Sequence, residues 1–465
     1  MRVCVRMQVI DDGGTVLADD PVLDLAKEAA RLETLGLSLA EAKQMLRATQ
    51  ERLLTAQAAA YVAGHRHCPD CGRVQRSKGV RPIRFRTLFG TVDVPGRRLR
   101  RCSCHPDGGR SFSPLSALFA RHAAPELLFL EAKWASLVSY GITADLLKDV
   151  LPVSETTNPM TVRRDLVRVA ERLEAPLGEE RSSFIDGCAA DWAALPDPEG
   201  EIIVGMDGGF VRGWKDKTAQ FEVIAGKSVP ENRGDRYFGF VQTHDTKPRR
   251  RLNQVLRDQG FQMNQDVTVL TDGGDSVRAL VADMAPCAEH LLDWFHVTMR
   301  LTVLGQFAKG ITHHDAAAGA DVAERLERIK WRLWHGDAVE AQERIEDLAE
   351  DLRCLALPYD GLKKFVRLTA EFAVYVANNL DAIPNYGERW RYGERISTSF
   401  AESAVNVVID KRMSKRQQMQ WTKRGAHHLL QVRTRTLDGT LRTTFEGWFP
   451  GLAANDDTSA RTAAA

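Results

Sequence analysis

The chain has 465 residues, of which 44% are hydrophobic and 27% charged, and its formal net charge at pH 7 is +1. This length predicts about two to four domains. Charged residues interrupt every apolar stretch before it reaches the length of a membrane span, and the first residues lack the continuous apolar core of a secretory signal. We therefore expect a globular, cytoplasmic protein that does not associate with membranes.

The near-neutral total hides two basic blocks. Residues 61–110 contain 12 Lys and Arg against three acids, and residues 411–435 contain eight basic residues and no acid. Each block alone could be an ordinary solvated surface, but two separated blocks on a neutral chain are typical of contacts with a phosphate backbone. The second block begins with Lys411, Arg412, Lys415 and Arg416.

The amino-terminal 62 residues predict a short extended start followed by helices over Leu23–Leu37 and Leu39–Val62. Residues 63–114 are rich in turns, and within them Ile83–Leu88 and Thr91–Leu99 alternate as the two strands of a hairpin. The density of arginine in this hairpin region favours phosphate contacts. The arginines concerned are Arg84, Arg86, Arg97, Arg98, Arg100 and Arg101.

Two cysteine pairs flank the hairpin, Cys68 with Cys71 and Cys102 with Cys104. Four thiolates brought together by two turns predict a tetrahedral zinc site of the zinc-ribbon kind, in a reducing compartment. The second pair is one residue short of the usual spacing, which leaves His105 as an alternative ligand. Reduced cysteines without a metal are the simpler interpretation.

Residues 115–180 predict three helices, Glu126–Tyr140, Thr143–Val150 and Met160–Leu173. They could form a helix-turn-helix DNA-binding region whose third helix presents Arg163 and Arg164 to the major groove. An ordinary three-helix bundle is the alternative.

The next part of the chain changes character and predicts an α/β fold. Residues 181–300 give three strands, a helix, a strand, a helix and a strand, which is the order of a ribonuclease H-like core with its first three strands as a meander. Residues 301–395 predict only amphipathic helices and read as an insertion. Residues 396–440 supply the last helices of the core, and residues 441–465 a coil-like tail. The predicted strands are Glu201–Phe210, Ala219–Val229, Arg236–His244, Asp266–Leu270 and Glu289–Phe295.

Three acidic residues fall at places that this order would bring together. Asp207 and Asp272 each end an apolar run and are each followed by two glycines, which let a metal or phosphate approach the backbone. Glu402 lies on a predicted helix, although Ser399 and Glu402 also fit a helix-capping box. Converging carboxylates can hold two divalent cations, Mg²⁺ or Mn²⁺, for phosphodiester chemistry. Ordinary Asp-Gly turns are the alternative.

Asp293 and His296 stand three residues apart where the fifth strand passes into a helix. With the other carboxylates, this order resembles bacterial DDE insertion-sequence transposases of the ISKra type, which are related to Mutator-like transposases. The Asn-Arg-Gly segment near Asn232 and the stretch from Thr398 to Ser403 fit the same family. The resemblance covers roughly residues 201–439.

The resemblance implies catalytic roles for Asp207, Asp272 and Glu402, with support from His296 and Asp293. It also implies double-stranded DNA as partner, both terminal inverted repeats and target, and a homodimer or larger synaptic complex associated with the nucleoid. A structure-selective nuclease on the same fold and a domesticated, non-catalytic DNA-binding regulator are the rival functions.

Overall fold

In the computed structural model, the structure describes residues 1–11, 13–27, 31–214, 219–281, 284–397, 399–414 and 420–453. The chain divides into two compact units, one formed by residues 1–169 with the segment from residue 440 onward, the other by residues 170–439. Both units mix strands and helices. Among the described residues, no helix is both long enough and apolar enough to cross a bilayer.

The strands, in chain order, are β1 (Arg2–Ile10), β2 (Val16–Ala26), β3 (Ser77–Thr87), β4 (Gly90–Arg100), β5 (Ser111–Phe112), β6 (Ile202–Arg212), β7 (Gln220–Pro230), β8 (Arg236–Val241), β9 (Val267–Thr271) and β10 (Ala288–Leu292).

The helices are α1 (Leu39–Gly64), α2 (Pro125–Leu137), α3 (Tyr140–Val150), α4 (Pro159–Glu174), α5 (Ala189–Ala193), α6 (Pro248–Asp258), α7 (Asp275–Val281), α8 (Trp294–Thr312), α9 (Ala316–Trp334), α10 (Ala338–Cys354), α11 (Leu362–Ala377), α12 (Tyr386–Arg391), α13 (Ser399–Val405), α14 (Lys423–Leu437) and α15 (Leu441–Trp448). A π-helical stretch, Asn406–Ser414, continues α13.

The first unit is built around the β3–β4 hairpin. Its apolar face, with Val92 and Val94 buried on β4, packs against Ala58 and Val62 of α1. The capping box of Ser38 and Glu41 fixes the start of α1, because each side chain accepts a backbone N–H of the other residue. β1 and β2 form a separate antiparallel pair.

The second unit contains a five-stranded sheet in the order β10-β9-β6-β7-β8. β6, β7 and β8 are an antiparallel meander, whereas β9 and β10 run parallel to β6. One face of β6, including Val204 and Met206, packs in a core with α6 and α7. The helices α8 to α11 form a further core of their own.

From β6 to β10 the predicted order of strands and helices agrees with the structure, and helices occupy the chain between β10 and α13. The short helix α5 before β6 was not predicted. Two strands end three residues earlier than predicted, since β8 ends at Val241 and β10 at Leu292, with α8 beginning at Trp294. The residue between them, Asp293, is the N-cap of α8, because its side chain accepts the backbone N–H of Phe295 at 2.8 Å. The strand therefore stops before Asp293.

The two ends of the chain differ from their predictions. Residues 23–26, predicted as helix, belong to β2, where Leu23 pairs with Val5 of β1. Residues 441–448, predicted as a coil-like tail, form α15, whose Phe445 packs edge-to-face on Phe129 of α2 at 5.5 Å between ring centroids. In both places a partner distant in sequence outweighs the local propensity.

Candidate active site and zinc centre

Two glycines of β6 place its carboxylate beneath the helix α13. A Cβ on Gly205 would lie 2.6 Å from Phe400 Cε2 and 2.9 Å from Ala401 Cβ, and one on Gly209 would lie 2.9 Å from Ile409 Cδ1. Side chains alternate across a strand, so Asp207 lies on the same covered face, between these two close approaches. Asp207 therefore lies in the middle of β6, not at its end as the sequence predicted.

The sheet register aligns three aspartates in one row. Met206 pairs with Thr271, and Thr271 pairs with Leu292, in parallel ladders. Asp207 follows Met206 within β6, whereas Asp272 and Asp293 are the first residues after β9 and β10. Asp293 donates its backbone N–H to the Thr271 carbonyl at 2.9 Å, which holds this end of the row in register. The sequence predicted that Asp207 and Asp272 would come together, but it did not give the strand register.

The surroundings of Asp207 disfavour its charged form. Burial first and the neighbouring charge of Asp272 second raise the pKa of Asp207, the Gly208 N–H opposes both, and the net pKa is about 6. Asp207 Oδ1 accepts that N–H at 2.6 Å, and Asp272 Oδ1 accepts the Gly274 N–H at 2.9 Å. Like charges this close favour protonation or a bound cation.

His296 lies beside the row, and its surroundings favour the protonated imidazole. Its Nδ1 lies 3.1 Å from Asp293 Oδ2, and the Asp293 side chain is fully buried. The hydrogen bond to Asp293 raises the pKa of His296, burial opposes this, and the charges of Asp293, Asp207 and Asp272 add to the rise. The pair sits on the first turn of α8, as expected for a cap that also orients an imidazole.

Glu402 is not part of a closed cluster with the aspartates. It is exposed on α13, directly after Ala401, which contacts β6 at Gly205. Among the described residues, the one group of three or more ligands that lies within 4.8 Å is the set of four cysteines. Among the described residues, the three aspartates do not form such a group either, alone or with Glu402, so the convergence of these carboxylates on a metal stays a prediction. Thr398, part of the same motif, lies outside the described residues.

The four predicted cysteines do come together. Cys68 Sγ lies 3.4 Å from Cys104 Sγ, and Cys71 Sγ lies 3.4 Å from both Cys102 Sγ and Cys104 Sγ. A tetrahedral zinc with bonds of about 2.3 Å needs sulfurs about 3.8 Å apart, so this donor set fits zinc. Gly72, in the left-handed region at φ +70°, lets its N–H return to the Cys68 carbonyl at 2.9 Å.

His105 is not part of the metal-ligand cluster, since the group whose ligand atoms lie within 4.8 Å of one another consists of the four cysteines. Its Nδ1 accepts the Asp107 N–H at 3.1 Å, and its Nε2 lies 3.2 Å from Arg101 Nη1. The ligand set left open by the sequence is completed by Cys104.

The basic residues predicted to contact DNA fall into different environments. Arg84, Arg97, Arg100, Arg164 and Lys411 are exposed; Arg98, Arg101 and Arg163 are half-buried. Lys415 and Arg416 lie outside the described residues.

Two of these predictions are corrected. The Arg86 guanidinium is enclosed between Glu131 of α2 and Asp165 of α4, whose side chains are fully buried, so it joins the hairpin to the helices. Arg412 is fully buried, with its guanidinium 5.1 Å from the centre of the Trp421 ring. Neither side chain is presented to a phosphate backbone. Nothing local in the sequence distinguished them from their exposed neighbours.

Two residues near the row were not predicted. Tyr375 of α11 donates its hydroxyl to the backbone carbonyl of Asp272 at 3.0 Å, and Arg300 of α8 lies 4.0 Å from the centre of the Tyr375 ring. The spacing of His296 and Arg300, one helical turn, was the available signal for Arg300. For Tyr375 there was none, because it is over 100 residues from Asp272 in sequence.

The glycine beneath α13 gives a testable prediction about packing. Gly205→Ala should destabilise the protein by about 1–3 kcal/mol, because the added methyl overlaps Phe400 and Ala401. Thermal unfolding measures this. Gly305→Ala on α8 is the matched control, since a Cβ there meets nothing within 4 Å. Equal melting temperatures for the two variants would mean that α13 does not pack on β6 as described.

The raised pKa of Asp207 predicts a stability that depends on pH. Because the folded state holds this proton up to about pH 6 and the unfolded state releases it near 4, the favourable contribution is complete below about pH 4 and is lost as the pH rises through 6. Without divalent metal, Asp207→Asn should therefore be more stable than the parent above pH 6. Urea unfolding in EDTA across this range measures the difference. If the free energies of unfolding of the parent and Asp207→Asn changed with pH in the same way, the raised pKa of Asp207 would be contradicted.

Comparisons with known proteins do not identify a family for this chain. No protein-family model matches the chain, and no curated protein does. Among solved structures, the chain is similar to one described as the Drosophila P element transposase strand transfer complex, with a TM-score of 0.23 and 9% identity over 70% of this chain and 80% of that one. A likeness this low carries no structural argument. Resemblance to the ISKra branch stays a prediction, and the function proposed next rests on this chain's own residues.

Proposed function

We propose that this chain is a DNA transposase that cleaves a phosphodiester and joins the freed end to target DNA, using divalent cations held at the aspartate row. The observation that supports the proposal most is that Asp207 on β6 and Asp272, the first residue after β9, each follow a member of the last pair in the parallel ladder, Met206 with Thr271. We propose a ribonuclease H-like fold for this unit. An antiparallel meander followed by two parallel strands, and a helix from the end of the unit over β6, support that assignment.

The donor set fits Mg²⁺ or Mn²⁺, which prefer carboxylate oxygens. Burial, and after it the charge of Asp272, raise the pKa of Asp207, and a bound cation would favour the charged form of both carboxylates. When bound, two such ions activate the attacking oxygen and stabilise the leaving oxygen in an in-line displacement. We propose Glu402 as the third ligand, which requires its exposed side chain to turn toward Asp207.

The chain's own residues would bind and orient the DNA. His296, cationic through its bond to Asp293, would face a phosphate oxygen beside the row. The exposed arginines Arg97 and Arg100 of the hairpin, with Arg164 of α4, would contact the backbone of the element's ends. Zinc held by the four cysteines would fix the turns beside that hairpin. A helix-turn-helix role for α2 to α4 and a dimeric or larger synaptic complex remain part of the proposal.

The test is a two-plasmid reaction. A donor plasmid carrying the sequences that flank the coding region is incubated with the protein, Mg²⁺ and a target plasmid. The proposal expects cleavage at the flanking ends and covalent joining to the target. Cleavage without joining would support the structure-selective nuclease instead, and DNA binding without either reaction would support the non-catalytic regulator.

A further inference from the structure

The exposed surface of α8 carries an arginine beside the aspartate row. Arg300 lies one helical turn after His296, which contacts Asp293 of the row. Among the described residues, no carboxylate lies within ion-pair distance of the Arg300 guanidinium, and the side chain is exposed. Most arginines of the neighbouring insertion helices are paired, as Arg325, Arg344 and Arg367 are.

Arg300 is positioned by the Tyr375 side chain and not by a carboxylate. Its guanidinium carbon lies 4.0 Å from the centre of the Tyr375 ring, which is the distance of a close cation–π contact, and the guanidinium also hydrogen-bonds to the Tyr375 side chain. A guanidinium has five N–H donors, so this contact does not occupy all of them, whereas a bidentate carboxylate partner would also neutralise the charge.

Tyr375 ties this arginine to the row itself. The Tyr375 hydroxyl donates to the backbone carbonyl of Asp272 at 3.0 Å. Burial raises the pKa of the Tyr375 phenol, Arg300 lowers it, and Asp272 and Asp293 raise it, which places all three charges close to one ring. The ring is half-buried in α11, so the platform is fixed by packing in the helical insertion.

We propose that Arg300 is a phosphate-binding residue of this site and that Tyr375 is its positioning residue. Arg300 would bind the backbone phosphate that neighbours the scissile phosphate of the DNA. The inference rests on the proposed function. It assigns a substrate contact to the helical insertion, and so explains why the insertion hydrogen-bonds to the turn that carries Asp272. A guanidinium with no carboxylate partner among the described residues, held by Tyr375 near the aspartates, is suited to bind an anion that reaches the row together with a cation.

The experiment uses the full-length protein and a duplex carrying the gene-flanking sequence. Arg300→Ala should slow cleavage by about 10-fold to 100-fold, as expected for loss of a charge-assisted contact. It should also lower the slope of log affinity against log salt by about 0.9, which is the loss of one phosphate contact. Lys309→Ala, an exposed basic residue on the same helix, is the matched control and should change neither quantity.

Two further variants separate phosphate binding from a structural role. Arg300→Lys should keep the salt slope, because the charge remains, and recover only part of the rate, because the stacked planar donors are lost. Tyr375→Leu should slow cleavage while leaving the salt slope unchanged, and Tyr375→Phe should keep the stacking and most of the rate. The melting temperature of each variant is measured as well, and only variants that melt within a few degrees of the parent are compared in rate and salt slope.

The outcomes are distinct from those of the proposed function. If the parent cleaves the duplex and Arg300→Ala behaves like Lys309→Ala in rate and salt slope, the inference fails and the proposed function stands. If the parent does not cleave the duplex, or if it cleaves and Asp207→Ala cleaves equally well, the proposed function itself fails. A lower rate with an unchanged salt slope for Arg300→Ala would also overturn the phosphate contact.

Discussion

Asp207→Ala is expected to reduce DNA cleavage by about 10³-fold or more and to leave DNA affinity within about twofold of the parent. The physical reason is its position: Asp207 adjoins Asp272 in the sheet register, and removing it leaves one carboxylate where a cation needs at least two. DNA contacts by contrast are spread over exposed arginines such as Arg97 and Arg100. Single-turnover cleavage and filter binding measure the two effects separately.

Asp266→Ala is the matched control for this experiment. Asp266 is exposed and immediately precedes β9, at the opposite end of that strand from Asp272. It removes the same charge from the same sheet without touching the aspartate row, so cleavage should be unaffected. The active-site assignment would be contradicted if Asp207→Ala retained cleavage activity. It would also be contradicted if Asp266→Ala lost as much activity as Asp207→Ala.

Cys71→Ser is expected to abolish zinc binding and to lower the melting temperature of the first unit by on the order of 10 °C. Cys71 Sγ lies 3.4 Å from two other sulfurs of the set, and the loss of one thiolate leaves the zinc with an incomplete coordination shell. DNA affinity should fall as well, because the turns beside the arginine-rich hairpin lose their anchor. Metal analysis, unfolding and DNA binding measure the three consequences.

His105→Ala distinguishes the ligand set from the surrounding turn. Its ring nitrogens contact Arg101 and the Asp107 N–H, so its loss should leave the zinc content unchanged. Full zinc content in Cys71→Ser, or DNA affinity unchanged after removal of zinc by a chelator, would contradict the assignment of this centre.

The sequence predicted most of the second unit because its signals are local. Alternating or continuous Ile, Val and Phe mark β6 to β9, and helical spacing marks α8 to α11, so element type and order could be predicted without a partner. The same reasoning failed for β2. Its Leu- and Ala-containing sequence favours helix, and pairing with β1 decides the outcome.

The candidate site shows the same division. Each aspartate could be found as a carboxylate after an apolar run, but the row depends on strand register, which no single segment encodes. In the sequence, Arg86 cannot be told apart from the other basic residues of the hairpin. In the structure its guanidinium contacts Glu131 and Asp165, which are 45 and 79 residues away in sequence. Tyr375 and Arg300 enter the site only through packing of the insertion on the turn after β9.

The most direct test of the aspartate row is anomalous diffraction from crystals of the full chain soaked in Mn²⁺. We expect anomalous density within bonding distance of both Asp207 and Asp272, with Glu402 turned toward it, and loss of that density in Asp207→Ala. Crystals that take up Mn²⁺ elsewhere, with these two carboxylates unliganded and Glu402 still facing solvent, would contradict a metal-dependent active site at this place.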